Sequence, residues 1–109
     1  MNNTIIPNIA EIQAISEERN RQDVKAYVDQ IRTAMVNGIQ QDAHNGHDRH
    51  VHTWMDTSKT NLTTRTSKNF HAALQQLQRE FEAEGYRFCI NYDGTYEGQK
   101  CVTHVVISW

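Results

Sequence analysis

The sequence predicts an α+β fold of two layers, with helices packed on one face of a small three-stranded, mostly antiparallel sheet. Three observations predict it. Val24, Tyr27, Val28, Ile31 and Met35 follow the spacing of one apolar helix stripe. Phe70, Leu74, Leu77 and Phe81 form a second such stripe. Two apolar runs, 86–92 and 102–109, flank the turn-rich segment DGTYEGQK and read as a hairpin. A hairpin alone is marginal in water, so the helical layer must cover it. The element order is α-β-α-β-β, within one domain spanning residues 1–109.

Residues 1–8 read as an arm, with Pro7 suited to a helix entrance because its missing N–H is not needed there. Residues 8–38 read as helical. Ile9, Ile12 and Ile15 recur every three residues, but the following Ser16 to Asp23 contains no apolar residue. A core-packing helix rarely runs two turns without an anchor. A break or bend is therefore expected there, with Asn20 capping a second helix; the alternative is one long helix with a solvated middle. Gly38 is placed to end the helix, since glycine adopts the left-handed conformation without steric penalty. Residues 40–48 are polar and contain the turn signal Asn45-Gly46.

Residues 49–55 alternate weakly around Val51, Thr53 and Trp54 and read as a strand. Residues 56–66 are rich in Ser, Thr and Asn and read as a loop, with Leu62 as its anchor. The clearest element is the helix at 67–84, with Ser67 as N-cap and Gly85 as terminator. The hairpin fills 86–109.

Composition narrows the function classes. The chain has 109 residues, enough for one small domain and too few for most large cofactor pockets. Eleven Lys and Arg against thirteen Asp and Glu give a net charge of −2. A generic nucleic-acid coater needs a basic face to displace counterions, so nucleic acid is an unexpected partner. No apolar run is long enough for a membrane span. The first ten residues lack the basic end, apolar stretch and cleavage site of a signal peptide, so secretion is not expected.

Two cysteines raise the question of a disulfide. If Phe88 and Ile90 face the helices with Val105, Ile107 and Trp109, Cys89 points away from the core and Cys101 toward it. They then lie on opposite sides of the sheet and cannot bridge. In this register His104 lies across from Cys89, the one pairing with a chemical reading.

The most unusual segment is His44 to His52, which holds four of the six histidines. His44, His47, His50 and His52 are the candidate metal ligands, because imidazole suits zinc, nickel and manganese. His50 and His52 share one face of the strand, and His44 and His47 close from the preceding loop. No His-Glu-x-x-His or Cys-x-x-Cys motif accompanies them. Solvated histidines are the bland alternative, and protonating these four reverses the sign of the net charge. No cofactor is implied beyond a divalent metal at this cluster. Trp54, Tyr92 and Tyr96 form the candidate interaction surface, since these residue types are enriched at interfaces. Arg19, Arg21, Lys25 and Arg32 alternate with acidic residues and read as a solvated helix face. Lys59, Arg65 and Lys68 form a second, thinner basic set.

A helical N-terminal half, a strand, a helix running into Gly85-Tyr86-Arg87-Phe88, and a hairpin closing on Val105-Val106-Ile107-Ser108-Trp109 form a recurring layout. It resembles small uncharacterised proteins encoded by tailed bacteriophages. The resemblance implies origin, a phage accessory or virion protein in the bacterial host cytoplasm or the particle. The first expectation is a non-enzymatic accessory protein that binds a host or phage protein, a defence-pathway partner or a small signalling ligand. A structural virion component, such as a head or neck decoration protein, is the alternative, and a small metal-dependent enzyme the third. Homo-oligomerisation is expected in each case, because a three-stranded sheet leaves edge strands to cover.

Overall fold

The computed structural model describes residues 5–53, 68–96 and 99–109, with side chains placed for all of these except 93–96 and 99–101. Helix α1 (Ile9–His44) leads into strand β1 (Arg49–Thr53), followed by helix α2 (Lys68–Ala83) and strands β2 (Arg87–Tyr96) and β3 (Gln99–Ser108). The sheet order is β1-β3-β2, antiparallel throughout. This is the α+β layout expected from the sequence. Ser67, Leu62 and the loop 56–66 lie outside the described residues.

Helix α1 is continuous across residues 16–23, where a break was expected. The missing apolar anchors are replaced by pairs along the helix surface. Arg19 meets Asp23 at 3.1 Å, Arg21 meets Glu18, and Gln22 Nε2 donates to Glu18 Oε1 at 3.3 Å. Pairs of this kind at i,i+3 and i,i+4 support a helix stretch that has no apolar anchor. At its start the Asn8 side chain accepts a hydrogen bond from the Glu11 amide at 3.0 Å, satisfying one of the orphan donors.

The helix also passes through Gly38 and consumes most of the expected loop at 40–48. Gly46, at φ +83°, is the residue that ends it. The Gly46 amide donates to the Ala43 carbonyl at 3.0 Å and the His47 amide to the Asp42 carbonyl at 2.9 Å. That pair of bonds is a Schellman cap. Helix α2 ends the same way at Gly85, as expected. The Gly85 amide bonds to Glu82, the Tyr86 amide bonds to Phe81, and the Tyr86 ring stands edge-on to Phe81 at 5.6 Å.

The core joins three surfaces. Val28, Ile31, Met35 and Ile39 come from α1, and Phe70, Ala73, Leu74, Leu77 and Phe81 from α2. Phe88, Val102, Val105 and Ile107 come from the sheet. Across the sheet, His50 and Phe88 both pair with Ile107, while His52 and Ile90 both pair with Val105. These rows face the helices. Cys89, Arg87 and Val51 are exposed on the other face.

The hairpin register departs from simple alternation. Asn91 pairs with His104 but Tyr92 pairs with Val102, so Thr103 is an extra residue in β3. The bulge shifts the side-chain parity and lets Val102 join Val105 in the core. The residue across from Cys89 is Val106, not His104. Cys89 is a free, exposed thiol. The side chain of Cys101 lies outside the described residues. Trp109 stands past the end of β3 and is 44% exposed, with its ring 6.4 Å from that of Tyr86.

Candidate functional site

Two regions of the structure are unusual enough to be functional. One is the histidine-bearing junction of α1 and β1. The other is the N-terminal half of α1.

At the junction, Asp42 on the last full turn of α1 holds two things at once. Its backbone carbonyl takes the His47 amide of the cap, and its carboxylate takes the ring of His50, with Nδ1 to Oδ2 at 2.7 Å. An ionised carboxylate only accepts, so Nδ1 carries the proton and donates. The opposite ring nitrogen, Nε2, is buried without a hydrogen-bond partner among the described residues. The ring lies against Gly38. A Cβ added at Gly38 would stand 2.2 Å from His50 Cε1 and 2.5 Å from Nε2. Gly38 is therefore glycine because a histidine from the neighbouring strand occupies the space where a side chain would be. This is a correction to its expected role as a helix terminator.

His52 lies two residues on, on the same inward face, with its ring 5.9 Å from that of His50. Burial, and secondarily the nearness of His50, hold its imidazole below the ordinary histidine range. His44 is exposed on the last turn of α1 and His47 is exposed in the turn that follows. The strand thus keeps His50 and His52 together while the other two candidate ligands face solvent. Among the described residues, no three His, Cys, Asp or Glu side chains come together as a metal ion would require. The Asp42–His50 pair has the composition of an acid–base dyad. Its outer nitrogen is sealed against α1, where no substrate reaches it.

The expected interaction surface is only partly in view. Tyr92 is 41% exposed, with its ring 5.7 Å from that of His71. Tyr96 belongs to β2 by its backbone, pairing with Gln99, but its side chain and all of Trp54 lie outside the described residues. Of the thin basic set, Lys68 is exposed at the start of α2, and Lys59 and Arg65 are also outside.

The second region was not singled out in the sequence. Every residue of α1 from Ile9 to Gln22 is exposed. Ile9, Ile12 and Ile15 are 73%, 47% and 67% exposed. A side-chain bond from Asn69 to Asn20 at 3.1 Å ties this stretch to the body near its end. The core begins at Val28, and one turn on Arg32 forms a two-pronged bridge to Glu80, both contacts at 2.8 Å. Burial acts against the charged forms of both partners. Hydrogen bonds from Gln76 and Arg32 nevertheless keep the Glu80 carboxyl below the usual range, and the bridge raises Arg32. Three isoleucines at spacing three were the available signal for an apolar ridge. Their spacing read only as helix, because the sequence does not show what lies opposite them.

No helix among the described residues is long and apolar enough to cross a membrane. No protein-family model, curated protein or solved structure matches the chain.

Proposed function

We propose that this is a non-enzymatic binding protein, an accessory protein of a tailed bacteriophage, which engages a host or defence-pathway protein through the N-terminal half of α1. It would act in the host cytoplasm. The observation that carries the binding role is the exposed run of Ile9, Ile12 and Ile15 on a helix segment that covers no core among the described residues. An isolated helix of that length is marginal in water, and apolar residues at helical spacing are the anchors by which a helix seats in a partner's groove. The phage origin rests on the layout of the elements alone.

A structural role in the virion is the second reading, favoured by the same helix, because an apolar ridge can also bundle with copies of itself. Affinity purification from infected cells, run beside protein analysis of purified particles, separates the two. The accessory role predicts a co-purifying host protein and absence from particles. Stoichiometric presence in particles supports the virion role and overturns the first.

A further inference from the structure

We propose that Arg49, Ser108 and Arg87 form a binding site for a doubly charged phosphate group, free or as a monoester, on the sheet face that points away from the helices. The inference is independent of the binding role given to α1. Side chains alternate along a strand, and His50, Ile107 and Phe88 share one inward-facing row. Their neighbours Arg49, Ser108 and Arg87 therefore point outward. Ser108 pairs with Arg49 on one side and with Arg87 on the other, so one row across the sheet reads Arg-Ser-Arg. Adjacent strands stand about 4.8 Å apart, which sets the two arginine stems about 10 Å apart with the serine midway. Both arginines are exposed, and neither has a carboxylate within ion-pair distance among the described residues. Arg19, Arg21 and Arg32, by contrast, are each held by one. Arg79 is exposed on α2, outside this row.

Two like charges fixed in one row repel each other, and an anion seated between them removes that repulsion. The row opens into a cleft of about 630 Å³ lined by Asp48, Arg49, Gly85, Arg87, Ser108 and Trp109. The walls of the cleft are tied together. The Trp109 amide donates to the Asp48 carbonyl at 3.0 Å, joining the turn before β1 to the end of β3. Gly85, at φ +94°, presents bare backbone, and nothing lies within 4 Å of where a Cβ would stand. The chemistry of the row selects the ligand. Each guanidinium presents paired N–H donors that match two oxygens of one phosphate. Two guanidinia and a hydroxyl donor suit a compact dianion, the form a phosphate monoester takes near neutral pH. A nucleic-acid backbone needs cations repeated along a face, and this molecule carries a net charge of −2. Asp48 is the one carboxylate side chain in the lining, and it opposes the anion. Trp109, 44% exposed, offers a ring on which a flat group of an ester stacks.

NMR titration of the full chain at about pH 7.5, where the probes are dianions, tests this. The probes are sodium phosphate and adenosine monophosphate, with sodium chloride of matched ionic strength as the reference. Phosphate should move the Arg49, Arg87 and Ser108 amides along one saturable curve, and chloride should not. Arg49→Gln and Arg87→Gln should each weaken binding by about tenfold. Asp48→Asn should strengthen it, and Arg79→Gln should leave it unchanged. All four positions are exposed, so these variants keep the fold. Tighter binding of adenosine monophosphate, lost in Trp109→Ala, identifies the ligand as a ring-bearing ester. Equal or weaker binding of that probe identifies phosphate itself, and either result supports the site. A response to phosphate no different from that to chloride would overturn the proposal. So would shifts spread evenly over Lys25, Lys68 and Arg79, or an affinity unchanged in both row variants.

Discussion

Gly38 and Asp42 do more to shape this molecule than their residue types announce. Alanine is the better helix former by about 1 kcal/mol in an exposed helix interior. Gly38→Ala should nevertheless lower stability by about 1–3 kcal/mol, as overpacking does, because the added Cβ collides with the His50 ring. Denaturant melts check this, and a stabilised variant would mean that the ring is not seated where the structure has it. Asp42→Ala should lower stability by about 1–3 kcal/mol, the range for leaving a buried donor unsatisfied. The loss should be smaller if His50 is already Phe. Thermal melts of the two single variants and the double variant give that coupling. Neither role was legible in the sequence. A glycine in a helical stretch reads as a terminator, and the reason it is not one sits twelve residues away on another element.

At the scale of elements, α2 and the hairpin were legible because their signals are local. Four apolar residues on one face, a closing glycine and a turn-rich segment need no tertiary knowledge. The single-sided apolar stripe of α1 from Val24 to Met35 was legible for the same reason. The continuity of α1 was not. A polar stretch can end a helix or decorate a solvated one, and the choice depends on whether anything packs against it. Here the surface pairs at 18–23 sustain the helix, and among the described residues the Asn69–Asn20 hydrogen bond is the only one between that stretch and the body. The bulge at Thr103 was likewise hidden, since one extra residue changes parity without changing composition. Two substitutions on α1 separate its halves. Met35→Ala, at a fully buried position in the half that packs on the core, should lower stability by about 2–5 kcal/mol. Ile12→Glu, in the exposed half, should stay within about 0.5 kcal/mol of the parent. Urea titration of both measures the contrast, and a large loss for Ile12→Glu would show that the N-terminal half packs against the body.

The whole molecule is long because one helix outruns its core. Its extents are 67 × 29 × 20 Å and its radius of gyration is 17.6 Å. A compact chain of this length would have a radius of about 13 Å. Small-angle scattering on a monomeric sample should return the larger value, and a value near the compact one would mean that α1 folds back. The histidine segment is the most unusual stretch of the sequence, and the fold turns two of its four members, His50 and His52, inward. The surface we propose for partners is the projecting end of α1, with Ile9, Ile12 and Ile15 in solvent. The most direct test of that assignment is partner capture by the chain carrying Ile9→Ser, Ile12→Ser and Ile15→Ser together, compared with the parent in infected cells. The account predicts that the variant melts like the parent and no longer brings down the parent's partner. Undiminished capture by the folded variant would contradict it.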